Sequence, residues 1–292
     1  MEVFPNYYED FSCIADRCKH SCCIGWEIDI DEDTKAFYNS LNTPIGEKIR
    51  ANIEGEPPHF ILKAGDRCPF LNNDGLCDII LTCGKDALCD ICTLHPRFKN
   101  FYASFEEVGL GLCCEEAVRV ILIRDERFEI EIPKCDDEEA EFFKIRQSIF
   151  DILQDRKKPM LCRFEDLARE FGLTFDFVID TLVEEYLELE RLDEKWTDEL
   201  EKLKEKTFDK GIFNKYPIYF EQLAVYFIFR HLSEALYDGD IRGKVNFALM
   251  GCFLLGAMWS LNEDKEKMFD LVRMYSSEVE YSEENLEKMR GN

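Results

Sequence analysis

The chain is 292 residues long and carries 36 basic against 61 acidic side chains, a net charge of −25. A chain of this length can bury a core that needs no staples, so folding does not require disulfides. The charge opposes nucleic acid, which needs a clustered positive surface, and suits a basic partner such as a protein presenting lysines; it also keeps a protein soluble.

The first ten residues, Met1 to Asp10, show neither a basic n-region nor an apolar h-region, so no secretory signal is expected and the chain is placed in the cytoplasm. In that reducing compartment dense cysteines bind metal or do redox chemistry more often than they form lasting disulfides. Of the fourteen cysteines all but Cys135, Cys162 and Cys252 fall within residues 13–114. Cys13, Cys18, Cys22 and Cys23 crowd into the first cluster.

From Gly25 to Asp31, Trp26, Ile28 and Ile30 alternate with Glu27, Asp29 and Asp31, the period-two pattern of a short strand. Asp31 to Thr34 then reads as a helix cap before Ala36. Phe60 to Lys63 is strand-like and leads to Cys68 and Cys77, joined through Asn72-Asn73-Asp74-Gly75. Those turn residues predict a knuckle that brings two thiols together. Cys89-Asp90-Ile91-Cys92 is a CxxC, a spacing that lets both sulfurs reach one ion. Phe98 to Phe105 is again strand-like, Val108 to Cys113 has the glycines of a close backbone approach, and Glu115 to Leu122 opens a helix on acidic residues.

Beyond the acidic run Asp136 to Glu139 the apolar residues recur at helical spacing: Phe142, Ile145, Ile149 and Ile152, then 164–170, 175–189 and 197–205. Pro217 opens an aromatic helix over 218–236. Val245 to Leu261 is apolar, but it falls short of the ~20 residues a membrane span needs and has no partner segment, so it reads as a buried core helix. No fixed-period repeat, Rossmann fingerprint, P-loop or nucleophile elbow is present. The expected fold is mainly α: an irregular α+β, Cys-rich, metal-binding N-terminal part (1–135) and a helical C-terminal part (136–292).

The thiol spacings are irregular (C-x4-C-x3-CC, C-x8-C, C-x5-C-x2-C, CC) and offer more ligands than one tetrahedral zinc uses. Four thiolates suffice for a [4Fe-4S] cluster, and three leave one iron open to the amino-carboxylate of S-adenosylmethionine. Cys18 and Cys22 begin the radical-enzyme spacing C-x3-C-x2-C, but Gly25 stands where its third cysteine belongs. Zinc and iron–sulfur both remain open. Cys114, Cys135, Cys162 and Cys252 read as small buried hydrophobes. His20 and His95 can ligate or hydrogen-bond, His231 reads as a core or cleft residue, and His59 carries no signal.

Taken together, the Cys13–Cys23 block, Cys68-Pro69-Phe70-Leu71 with Gly75-Leu76-Cys77, Cys89-x2-Cys92-x3-Pro96-Arg97 and Tyr226-Phe227-Ile228-Phe229-Arg230-His231 resemble the flagellin lysine-N-methylases, within the wider group of CxxCxxCC zinc- or iron-chelating proteins. The resemblance implies transfer of methyl groups from S-adenosylmethionine to lysines of flagellin or another lysine-bearing protein, by a protein carrying a [4Fe-4S] cluster or zinc. It carries over a metal-ligand set of Cys13, Cys18, Cys22, Cys23, Cys68, Cys77, Cys89, Cys92 and Cys113. Cys83 and Cys114 look peculiar to this chain. Tyr226 and Arg230 match as well and are expected to bind cofactor or substrate. Trp26, whose ring can stack on a cation, and Glu27 join them as cofactor-binding candidates, with Glu27, Asp29 and Asp31 as carboxylates able to take a proton from lysine. A non-enzymatic zinc- or iron-chelating protein is the competing expectation; no catalytic residue is assigned and the oligomeric state is open.

Overall fold

The computed structural model describes residues 1–290 and is mainly helical, with its few short strands before residue 111. Two compact units form, Ser12–Arg97 and a second made of Met1–Phe11 with the chain from Phe98 onward. These limits differ from the compositional change at 135/136. The strand Glu2–Val3 pairs in parallel with Glu106–Leu110, Glu2 opposite Glu106, and Leu110, Leu112 and the helix Glu115–Leu122 are buried in the helical core. Burial of those side chains, worth about 2 kcal/mol each, outweighs the shared cysteine-rich composition.

The Ser12–Arg97 unit is stapled by local polar contacts around a small core of Ile28, Ile30, Tyr38, Ile49, Phe60, Phe70 and Ile79. The helix Glu32–Ser40 starts where Asp31 accepts from the Thr34 amide at 2.8 Å, and Pro44–Arg50 starts on Thr43 with proline at its first turn. Both are capping arrangements that satisfy amides a helix leaves orphaned. Strands Ile53–Glu54 and His59–Phe60 pair antiparallel. The strand expected over 25–31 is reduced to isolated bridges, Ile24 with Arg67 and Asp29 with His59, yet its alternation holds: Ile28 and Ile30 are buried while Glu27 and Asp29 are exposed. The Cys68–Cys77 knuckle forms as expected. Leu71 bridges Cys77, and the Asn72 side chain accepts from the amides of Asp74 (2.9 Å) and Leu76 (3.0 Å).

In the other unit the long helices Asp137–Leu153, Met160–Glu170, Pro217–His231, Ile241–Ser260 and Lys265–Tyr275 build one aromatic-rich core. Helix Ile241–Ser260 is long and apolar enough to cross a membrane, but 78% of its apolar window is buried inside this unit, where it packs on Pro217–His231. The helix expected over 175–189 spans Ile179–Leu187, and that over 218–236 ends at His231. Buried charges are paired: Arg146 donates to Glu107 at 2.6 Å and Arg163 to Glu221 at 2.6 Å, as burial of an ion requires. After Tyr275 the chain makes a π-helical turn, Ser276–Glu280, before the helix Glu283–Arg290. A π turn adds a residue to the helical repeat and is often found where a side chain must be re-aimed; here it delivers Glu280.

Candidate functional site

Within the Ser12–Arg97 unit two short helices begin on cysteines, Asp78–Cys83 after Cys77 and Asp90–Leu94 after Cys89. Helix starts expose amides, and those of Ile79 and Ile80 point at the Cys77 sulfur while that of Cys92 points at Cys89. Amides so placed favour thiolate. The backbone ties Cys68 to the first cluster, its amide donating to the Cys23 carbonyl at 2.9 Å.

These pieces bring Cys23, Cys68, Cys77, Cys89 and Cys92 into one electrostatic neighbourhood. Burial pushes the Cys68 thiol up to about 11, with Cys23 and Cys77 adding to the rise. Burial also raises Cys77, again with Cys23 contributing. The hydrogen bond from Cys89 sends Cys92 far up, with Cys23 and Cys68 acting on it too, whereas Cys89 is lowered by that same bond. Cys23 is held down to about 7 by its hydrogen bond with Cys22, helped by Ser21 and Arg67. Cys23, Cys68, Cys77, Cys89 and Cys92 are thus linked in a chain of mutual influence, with Cys68 and Cys89 buried, and thiolates are the soft donors that zinc and iron–sulfur clusters take. None of the fourteen cysteines is in a disulfide.

Of the other sequence-predicted ligands, Cys22 reaches this group through Cys23, while Cys13 is exposed and Cys18 half-buried in the preceding loop. Cys113 belongs to the other unit, where its neighbours are Tyr281 and Arg230. Cys252 is buried as expected, whereas Cys162 is exposed on its helix. Trp26 donates its indole N–H to the Cys22 carbonyl and lies 5.5 Å from the His95 ring. Burial pushes His95 down to about 4, so it stays neutral. Glu27 lies 3.6 Å from the His59 ring. Asp31 caps a helix, accepting from the Thr34 amide at 2.8 Å, and also accepts from the Asp90 amide at 2.9 Å.

The second unit holds a buried polar network on the helix Pro217–His231. Arg230 donates to the Tyr226 hydroxyl at 2.8 Å, and that hydroxyl donates to Glu280 at 3.0 Å while accepting from the Leu112 amide at 3.2 Å. The Arg230 guanidinium lies between two rings, 5.0 Å from Phe98 and 4.8 Å from Tyr281, a cation–π arrangement. Burial alone would raise the Glu280 carboxyl, but the Arg230 charge and the His231 hydrogen bond pull it down to about 2. Burial pushes His231 down to about 4. Arg290 donates to its Nδ1, so the neutral ring carries its proton on Nε2 and donates it to Glu280. Burial raises the Cys113 thiol to about 12, opposed by a hydrogen bond with Tyr281. Tyr226 is buried and saturated; Tyr281, 40% exposed, is where this network meets solvent. Sequence reasoning named Tyr226 and Arg230 but missed Glu280 and Tyr281, which sit in an acidic stretch without helical period.

The model of the FliB lysine N-methylase C-terminal domain matches residues 131–291, more than half of the chain. The chain is similar to the lysine-N-methylases of Salmonella choleraesuis (strain SC-B67) and Salmonella typhimurium (strain LT2), 31% identical over 126 residues, 40% of this chain and 31% of each relative. The match thus spans about a third of the length of those two proteins. It is equally similar, 31% over 126 residues, to the flagellar biosynthetic protein FliU of Salmonella muenchen, and there covers 75% of the relative. No solved structure matches the chain. With more than half its length matched by the family's own domain, and three quarters of the FliU relative covered at 31% identity, the chain belongs to the FliB lysine N-methylase family.

Proposed function

We propose that the protein is a protein-lysine N-methyltransferase that takes its methyl group from S-adenosylmethionine and delivers it to lysine side chains of flagellin or another lysine-bearing protein. Membership of the FliB family carries this reading; the names of the Salmonella relatives point the same way. S-adenosylmethionine supplies an electrophilic methyl on its sulfonium. The protein's part is to hold the acceptor lysine neutral and take up its proton, since an ammonium has no lone pair with which to attack. The net charge of −25 draws a basic acceptor toward the surface.

In this reading Cys23, Cys68, Cys77, Cys89 and Cys92 hold a [4Fe-4S] cluster, with zinc as the alternative occupant of the same donor set; both require the reduced thiols of the cytoplasm. Tyr226 is a positioning residue that fixes Arg230. Arg230 and the exposed edge of Tyr281 form the part of the network a cofactor or substrate can reach.

Anaerobic purification followed by a visible spectrum, metal analysis and labile-sulfide assay separates the two centres: brown protein with iron and sulfide supports the cluster, colourless protein with zinc the alternative. Calorimetry with S-adenosylmethionine then separates methyltransferase from simple chelator. Methylated lysines on flagellin by mass spectrometry would establish the reaction, and absence of both cofactor binding and methylation from metal-loaded protein would leave the chelating role.

A further inference from the structure

We propose that Glu27, Asp29 and His59 form a binding site for a divalent first-row transition ion, separate from the thiols and independent of the methyltransferase reading. One carboxylate oxygen from each acid and one imidazole nitrogen lie within 4.8 Å of one another. The local fold brings them together. Asp29 and His59 are directly opposed across an antiparallel bridge, and Glu27, two residues back, shares the Asp29 face. Ile28 and Ile30 fill the opposite face as core, which leaves both carboxylates no inward alternative.

Two features outside the carboxylate pair aim the imidazole. Its Nδ1 lies 3.1 Å from the Pro57 carbonyl, a partner that can only accept, so Nδ1 carries the proton and Nε2 presents a lone pair. This arrangement, one ring nitrogen donating to a backbone carbonyl while the other is left for the ion, is what metal-ligating histidines use. The ring is also seated over Gly55, where an added Cβ would come within 2.2 Å of Cε1 and 2.7 Å of Nδ1. Glycine at that position, at φ +81°, makes room for the ring as no other residue would. Nε2 then faces Glu27 at 3.6 Å.

Ligands bound about 2.1 Å from one ion stand roughly 3–4 Å apart. The Glu27–His59 pair, at 3.6 Å, already lies in that range, and the 4.8 Å limit on the whole group leaves about an ångström for side-chain rotation to close, with the Glu27 side chain 61% exposed. Two carboxylates and an imidazole without sulfur favour manganese, ferrous iron or zinc as borderline-to-hard ions, unlike the all-thiolate set nearby in sequence. Three protein ligands leave positions open to water or to a ligand oxygen.

The test uses manganous ion, a poor partner for thiolate, added to anaerobically purified, metal-loaded protein in excess magnesium and followed by electron paramagnetic resonance. The expected result is one manganese per chain, with echo modulation from an imidazole nitrogen. Glu27→Gln and Asp29→Asn should each weaken it about tenfold or more, the scale of effect seen when metal-site partners are lost. His59→Asn should abolish the nitrogen modulation, and Gly55→Ala should weaken binding by displacing the ring. The circular dichroism and visible spectrum should stay unchanged throughout. Absence of stoichiometric manganese, displacement by magnesium, or undiminished binding in the Asp29→Asn/His59→Asn double variant would overturn the proposal.

Discussion

Arg230 donates to the hydroxyl of Tyr226 at 2.8 Å, one turn back along the same helix. The two side chains close a ring of contacts through Glu280, whose carboxylate has no exposed surface. Losing the arginine leaves that carboxylate buried with only neutral donors and the more distant Arg290 to offset it. Arg230→Ala is expected to destabilise the protein by about 3 kcal/mol, the low end of the cost of breaking a buried ion pair. Denaturant unfolding of Arg230→Ala and of the Arg230→Met/Glu280→Gln double variant checks it, because the double variant should recover most of the loss. If Arg230 also serves methyl transfer, the single variant keeps its metal and loses activity.

Metal retention should follow the thiol group rather than cysteine number. Cys89→Ser or Cys92→Ser is expected to lower bound metal severalfold, whereas Cys162→Ser, at an exposed position on its helix, should leave metal content and spectrum as in the parent. Metal analysis after desalting under anaerobic conditions reads both. Equal loss from Cys162→Ser would remove the distinction between the two sets.

Acid should weaken the fold in two stages. His231 is held at about 4 against an ordinary 6.5, so as pH falls below 6.5 the unfolded chain takes up a proton that the folded one refuses. Stability contributed by the neutral ring is complete above 6.5 and lost progressively down to about 4, at up to ~1.4 kcal/mol per pH unit. Glu280, held at about 2 against 4.5, contributes above 4.5 and its share is lost as pH falls from there toward 2. Chemical unfolding at a series of pH values should show this slope. His231→Gln should flatten the upper stage and leave the lower one.

Gly109 sits where an added Cβ would come within 2.3 Å of Phe98 and 2.7 Å of Phe229. Phe98 is one of the two rings that hold Arg230. Gly109→Ala is therefore expected to cost about 1–3 kcal/mol by overpacking and to disturb the Arg230 network as well. A fall in unfolding midpoint measures the first effect. Altered Tyr281 accessibility to a fluorescence quencher would report the second, and an unchanged midpoint would contradict the close packing.

Much of this was legible in the amino-acid order because short-range rules applied. The CxxC, the Asn-rich knuckle, the Asp31 cap and the buried helix read over 245–261 all follow from local spacing and composition. Long-range pairings were not legible. Glu2–Val3 is too short to show any period, and its partner lies over a hundred residues away, so its pairing with Glu106–Leu110 was hidden. His59 carried no signal alone, because its significance comes from facing Asp29 across a single bridge. Glu280 and Tyr281 were masked by the π turn, which breaks the 3.6-residue rhythm that pattern reading depends on.

Because Glu2–Val3 completes a sheet with strands that begin at Arg97, the thiol-bearing unit is an excursion in the middle of a domain whose two segments flank it in sequence. Joining Phe11 to Phe98 through a flexible linker would test whether that domain folds without the Ser12–Arg97 unit. The excised stretch could be exchanged between relatives as a cassette, separating what the thiol-bearing unit contributes from what the helices contribute on their own.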